Sequence, residues 1–261
     1  MSQLEQSLVL RSAGDAQLAV ADPDYEANTG MFGGWTAALL LRAVLEHRER
    51  QGSASALTVN FIRRIMPGEQ LLVRCNGLGG SKSVFQWRAE LFRRDGGEPL
   101  AAAHIILSLR RPSESAVDFA MPAAPPPEAL PATNPPGAFG RRTDTRAVHG
   151  LPPFNRGDMR SLSWVRETSG RPVDAVQLAY LSDVYAPRIF HISDGPRPSS
   201  TLTLSTYFLA APDELASVQD DYVLSDVEGT RIEQSLVGSR ARLWSRQGIL
   251  LATTEQLCWF K

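Results

Sequence analysis

The segment Gly33-Gly34-Trp35-Thr36-Ala37-Ala38-Leu39-Leu40-Leu41-Arg42-Ala43-Val44-Leu45 decides the architecture. Alanine and leucine lose little on entering a helix, and here they fill nearly every side of one. A helix without a polar face has to be enclosed by other structure. The chain beyond Leu45 can do the enclosing. Four strand-like stretches, 56–65, 70–78, 84–93 and 100–110, are divided by turn signals at Pro67-Gly68, Gly79-Gly80 and Asp95-Gly96-Gly97. One enclosed helix succeeded by antiparallel strands on short turns is an α+β arrangement.

The same layout recurs further along. A second helix is expected over 173–185, then strands over 200–209, 221–228, 234–245 and 249–260. Leu57-Thr58-Val59, running through Arg63 and Arg64 to Pro67, is answered 145 residues later by Leu202-Thr203-Leu204, running through Phe208 and Leu209 to Pro212. Ala89-Glu90-Leu91-Phe92-Arg93-Arg94-Asp95-Gly96 is answered at an offset of 152 by Ala241-Arg242-Leu243-Trp244-Ser245-Arg246-Gln247-Gly248. Leu100-Ala101-Ala102-Ala103 is answered at an offset of 150 by Leu250-Leu251-Ala252-Thr253. Solenoid repeats are far shorter, so the pattern indicates two fused copies of one module. Between Arg111 and Asn155 the periodicity lapses and proline accumulates, as in Pro125-Pro126-Pro127 and Pro135-Pro136. Proline cannot donate to a strand ladder and favours extended backbone, so a semi-rigid surface connector is expected there. The expected organisation is an N-terminal module over 1–111, a connector over 112–154 and a C-terminal module over 155–261. A long helix wrapped by a curled antiparallel sheet is the hot-dog arrangement, and two in tandem make a double hot-dog with sheets paired edge to edge.

Composition removes several classes of function. The 261 residues, 43% of them hydrophobic, can bury one large core or two small ones. With 27 basic and 28 acidic side chains the net charge is −1, which gives no electrostatic case for nucleic acid or an anionic membrane. No apolar run is long enough to span a bilayer, and Met1-Ser2-Gln3-Leu4-Glu5-Gln6 lacks the features of an export signal. A cytoplasmic protein is expected, with Cys75 and Cys258 as buried, reduced thiols.

Most catalytic signatures are missing. There is no Gly-x-Ser-x-Gly elbow, His-Glu-x-x-His or Cys-x-x-Cys, and His47, His104, His149 and His191 do not show ligand spacing, so neither metal nor cofactor is expected. Gly77-Leu78-Gly79-Gly80-Ser81-Lys82-Ser83 resembles a phosphate loop only superficially. A strand-like Val84-Phe85-Gln86-Trp87 comes next where a phosphate loop needs a helix, so a hairpin is the better reading. On the second helix, Asp183 projects along the line of Val176, Ala179 and Tyr180. A carboxylate on an apolar stripe has to be paired or hydrogen-bonded. It reaches solvent near the helix end, or merely bonds to a neighbouring strand, or serves as a general base whose basicity is raised by its surroundings. Thr201, opening the next strand, and Gln256, in the last one, could assist it. Alternation puts Thr254, Gln256, Cys258 and Phe260 on one face and Glu255, Leu257 and Trp259 on the other, without settling which is buried.

At these residues the chain resembles the acyl-CoA thioesterase II family, the fused double hot-dog thioesterases. The resemblance rests on Phe32-Gly33-Gly34, Tyr180-Leu181-Ser182-Asp183 and the run from Gly248 to Gln256, and it covers nearly the whole length. It implies hydrolysis of acyl-CoA to free acid and CoA in a homo-oligomer, a dimer or trimer. It also implies that Asp183, Thr201 and Gln256 together orient and activate a water. Gly33 and Gly34 would allow close approach at the helix start. Trp35, Tyr180, Tyr185 and Tyr207 are candidate walls for an acyl chain, and Arg63, Arg64 and Arg156 are candidate cations for the CoA phosphates. Members of that family carry a histidine on the strand after the first helix, and Thr58-Val59-Asn60-Phe61-Ile62-Arg63-Arg64-Ile65-Met66-Pro67-Gly68 contains none. Two other readings stay open: an enoyl-thioester hydratase of the same fold, which needs an Asp/His pair, and a non-catalytic acyl-thioester binding module.

Overall fold

The computed structural model describes residues 1–151 and 154–261. A short helix α1 (Gln3–Ser7) precedes strands β1 (Arg11–Ala13) and β2 (Ala16–Val20), and a small hairpin, β3 (Glu26–Ala27) with β4 (Gly30–Met31), leads into helix α2 (Gly33–Leu45). Strands β5 (Ser53–Phe61), β6 (Gln70–Gly80), β7 (Val84–Arg93) and β8 (Gly96–Ser108) complete the first half. The second half runs β9 (Thr143–His149), β10 (Arg160–Glu167), helix α3 (Ala175–Leu181), β11 (Ser199–Phe208), helix α4 (Pro212–Val218), β12 (Val223–Glu233), β13 (Leu236–Ser245) and β14 (Leu250–Phe260). Among the described residues one sheet of twelve strands carries the order β1-β2-β6-β7-β8-β5-β11-β14-β13-β12-β10-β9. Read outward from its middle, each half follows the same path, with α2 and α3 enclosed side by side. The fold is the double hot-dog expected from the sequence.

The sheet records the duplication more sharply than the sequence does. At its centre β5 and β11 run antiparallel with Thr58 opposite Ser205, and the two hydroxyls lie 3.0 Å apart. Irregularities of register recur at matching places: Ala54/Ala56 with Thr201/Thr203, Gly77/Gly79 with Gly229/Arg231, and Leu91/Arg93 with Leu243/Trp244. The corresponding offsets are 147, 152 and 152. The sequence match of Leu57 to Leu202 is thus two residues out, and Leu57 corresponds to Leu204. A strand pattern of period two survives a shift by two unchanged, which is why the shorter offset looked acceptable.

Segment 112–154 is not a connector throughout. Its last part forms β9, and α3 is shorter than the helix expected over 173–185. Residues before β9 also have structure to cover. Met121, Ala124 and Leu130 pack on Leu162, Trp164, Tyr222, Leu224 and Trp244, on the side of the sheet away from the helices, and the Trp164 indole N–H donates to the Pro125 carbonyl at 2.8 Å. Thr133 and Asn134 run along β9: the Thr133 N–H donates to the Thr145 carbonyl at 2.7 Å, the Thr145 N–H to Asn134 Oδ1 at 3.3 Å and the Ala147 N–H to Thr133 Oγ1 at 3.2 Å. One outer edge of the sheet is therefore covered, and the other, β1, has three residues. Little open edge is left for another chain to pair with.

Candidate active site

Three elements of different origin meet at Asp183. The first is the end of α3. Asp174 caps its start by accepting from the Gln177 N–H at 2.9 Å, and the helix stops at Leu181, ahead of Pro187. Asp183 thus sits in the turn just beyond the helix and not on the helix expected over 173–185. That turn is pinned from below: the Thr206 hydroxyl of β11 donates to Ser182 Oγ at 3.1 Å, and Ser182 donates to the Ala179 carbonyl at 2.8 Å.

The second element is the start of α2. A Cβ added to Gly34 would collide with the Tyr180 carbonyl oxygen, and one added to Gly33 would lie 2.7 Å from Asp183 Oδ2. Glycine at both positions lets one helix begin against the end of the other. The Gly34 N–H then acts on the Asp183 carboxylate, at the positive end of the α2 dipole. Asp183 and the start of α2 belong to different modules in sequence and are in contact in space.

The third element is the β11–β14 pair. Thr254, Gln256 and Cys258 form the buried face of β14, whereas Glu255, Leu257 and Trp259 are exposed. The irregularity between Thr201 and Thr203 leaves Leu202 as an extra residue, which turns Thr201 to the inner face opposite Cys258. Gln256 Nε2 donates to Asp183 Oδ1 at 2.6 Å and to Thr201 Oγ1 at 3.1 Å. The residues singled out for catalysis come together, with Asp183 and Gln256 only 9% and 7% exposed. Burial pushes the Asp183 carboxyl up to about 7, against the pull of the Gln256 and Gly34 N–H groups. Such a group is charged about half the time near neutrality and can exchange a proton there.

The other expected positions divide. Trp35 lies wholly in the core, its indole N–H donating to Ser7 Oγ of α1 at 3.2 Å, so it anchors the N-terminal helix. Tyr180 is also core: its hydroxyl pairs with Thr143 Oγ1 at 2.7 Å and its ring stands edge-on to Tyr25 and Phe32. Tyr207 is on the exposed face of the sheet, whereas the Tyr185 hydroxyl pairs with Ser239 Oγ at 3.4 Å. Arg63 is exposed and ion-paired to Glu98, Arg64 lies against Gly30, and Arg156 pairs loosely with Asp158 at 3.9 Å. No histidine hydrogen-bonds Asp183 among the described residues. The aromatic ring of Phe61, at the end of β5, instead reaches within 3.3 Å of the Gly33 Cβ position, beside the carboxylate, and helps to dry it. Ser182, Thr206 and Cys258 were missed as supporting residues. Cys258 shares its strand face with Gln256, which was the available signal.

Comparison with known proteins places the chain in a family. Residues 21–109 match the acyl-CoA thioesterase N-terminal domain and residues 120–260 the acyl-CoA thioesterase C-terminal domain. The chain belongs to the acyl-CoA thioesterase family and is a thioester hydrolase by that membership. A conserved protein of unknown function with a hot-dog fold from Alicyclobacillus acidocaldarius is 28% identical, with a TM-score of 0.94 over 100% of this chain and 98% of that one. A putative thioesterase II from Thermobifida fusca is 17% identical (TM-score 0.85, coverage 100% and 98%), and the acyl-CoA thioesterase II TesB2 of Mycobacterium marinum is 20% identical (TM-score 0.79, coverage 99% and 98%). The last two likenesses are of fold. No curated protein matches the chain. Among the described residues no helix is long and apolar enough to cross a membrane, and no three or more His, Cys, Asp or Glu side chains cluster so as to hold a metal ion.

Proposed function

We propose that the chain hydrolyses acyl-CoA to a free carboxylic acid and CoA, with Asp183 as general base. The observation that carries this reading is the buried carboxylate held by Gln256 at 2.6 Å and by the start of α2. Asp183 takes a proton from water as the water oxygen bonds to the thioester carbon. Thr201 holds that water in line by accepting from it, and Gln256, whose N–H groups are engaged with Asp183 and Thr201, fixes both of them, so the reaction starts from an ordered approach. When the carbonyl re-forms, the carbon–sulfur bond breaks and the departing CoA sulfur takes the proton back from Asp183. The Gly34 N–H, engaged with the carboxylate, favours its ionised form against burial and is not assigned to the oxyanion. Exposed Arg63 and Arg64 are the cations proposed for the CoA phosphates. The free thiols of Cys75 and Cys258 suit a reducing compartment such as the cytoplasm. Assembly as a homo-oligomer belongs to this proposal, through sheet faces more than through edges.

Purified protein incubated with a panel of acyl-CoAs and a thiol reagent tests the assignment. Wild type should release CoA, and Asp183→Asn should lose at least about a hundredfold in kcat, the low end of what a positioned base contributes. Turnover undiminished in Asp183→Asn would remove Asp183 from the reaction. Hydration of an enoyl-CoA without thiol release would favour the hydratase, a reading weakened by the absence of an Asp/His hydrogen bond among the described residues.

A further inference from the structure

Gln256 has two ends, and the proposed hydrolysis uses only one of them. Its Nε2 serves Asp183 and Thr201, while its Oε1 accepts from the Cys258 thiol at 3.2 Å. Cys258 Sγ also lies 3.7 Å from Thr201 Oγ1. Thr201, Cys258 and Gln256 therefore close a ring in which each group can donate once and accept once: hydroxyl to sulfur, thiol to amide oxygen, amide nitrogen to hydroxyl. The last torsion of a glutamine is broad, so the plane of the amide is set by its partners. Such a ring could also run in the opposite sense, with the amide turned over. The ionised Asp183 carboxylate breaks the tie, because it only accepts.

We infer that Cys258 is a positioning residue for the reaction: its thiol holds the carbonyl end of Gln256 and so keeps the amide N–H groups aimed at Asp183 and Thr201. Neither a nucleophile nor a redox centre is needed, and no bond to sulfur is made or broken. Burial pushes the thiol up to about 12, so it remains a donor throughout the pH range in which Asp183 titrates. The inference rests on the Asp183 reading of the proposed function. It also predicts how the base should behave without the thiol. The Gln256 donation pulls the Asp183 carboxyl down against burial, so a loosened amide leaves it higher. The other titratable groups acting there are Tyr180 and Tyr185, on and just after α3, with Arg188 beyond Tyr185. Tyr185 and Arg188 also feel charge at Cys258, but the thiol is uncharged where Asp183 titrates, so its loss reaches Asp183 through Gln256.

The experiment compares Cys258→Ser, which keeps a donor, with Cys258→Ala, which removes it, using kcat, KM and the pH profile of kcat/KM for decanoyl-CoA per folded molecule. Cys258→Val, which refills most of the space without a donor, replaces the alanine variant if that one does not fold. Cys258→Ala should lose about fivefold to tenfold in kcat, the scale of one hydrogen bond, with KM within about twofold and the acid limb displaced upward in pH. Cys258→Ser should keep kcat within about threefold and leave the limb in place. A merely structural cysteine would change the yield of folded protein and move neither kcat nor the limb. Wild-type kcat and an unmoved limb in Cys258→Ala, with Asp183→Asn inactive, would overturn the inference and spare the base. An active Asp183→Asn would overturn both.

Discussion

At the scale of the residue, a carboxylate in a dry place costs the fold something. The Asp183 carboxyl titrates near 7 in the folded chain and in the ordinary carboxylate range when unfolded. Between those two values the native state holds the extra proton, so its stability falls as pH rises across that window. Asp183→Asn escapes this while keeping an oxygen for Gln256. The variant should match wild type in stability near pH 4 and exceed it increasingly up to pH 8, by at most about 4 kcal/mol. Denaturant unfolding at both pH values checks the sign, and a variant less stable than wild type at pH 8 would contradict the account. Much of this was legible in the sequence, since Asp183 lies on an apolar stripe. Thr201 was less so: its inward aim depends on the extra residue Leu202, and alternation carries no sign of a bulge. The buried face of β14 was equally hidden, because Leu257 and Trp259 are exposed where apolar side chains suggest a core.

At the scale of the element, the site depends on how closely two helix ends approach. Gly34→Ala gains helix propensity but sets a methyl group against the Tyr180 carbonyl, a backbone atom that cannot swing aside. The collision should prevail and cost about 1–3 kcal/mol, read as a lower denaturant midpoint. Unchanged or increased stability would show that the contact is slack. Close packing at Gly33-Gly34 was foreseeable from the residues alone. That the opposing surface would be the end of α3, next to Asp183 of the other module, was not, because adjacency across the fused sheets has no local signature. The early stop of α3 was missed for a related reason: Val184 and Tyr185 continue the apolar run past the helix end.

At the scale of the whole molecule, the proposed site at Asp183 has Thr201 and Gln256 without polar counterparts in the first module. Matching the sheet registers puts Ala54 where Thr201 stands and Ile105 where Gln256 stands, both buried and both without a hydrogen-bonding side chain. The N-terminal module supplies α2 and an apolar counterpart, and the C-terminal module supplies the polar groups. A non-hydrolysable thioether analogue of acyl-CoA should therefore bind once per chain in a calorimetric titration. Two equivalent sites per chain would contradict the asymmetry. The repeat was readable from the ordered sequence matches. The role of the connector was not, since its proline content hides the packing of Met121, Ala124 and Leu130 and the edge cover provided by Thr133 and Asn134.

The pH dependence of kcat/KM tests the central claim most directly. A free enzyme whose base is the shielded Asp183 should show activity rising about tenfold per pH unit in acid and levelling off near pH 7, with that limb absent from any residual activity of Asp183→Asn. A profile that is flat from pH 5 to pH 8 in wild type would mean that the reaction does not wait on this carboxylate.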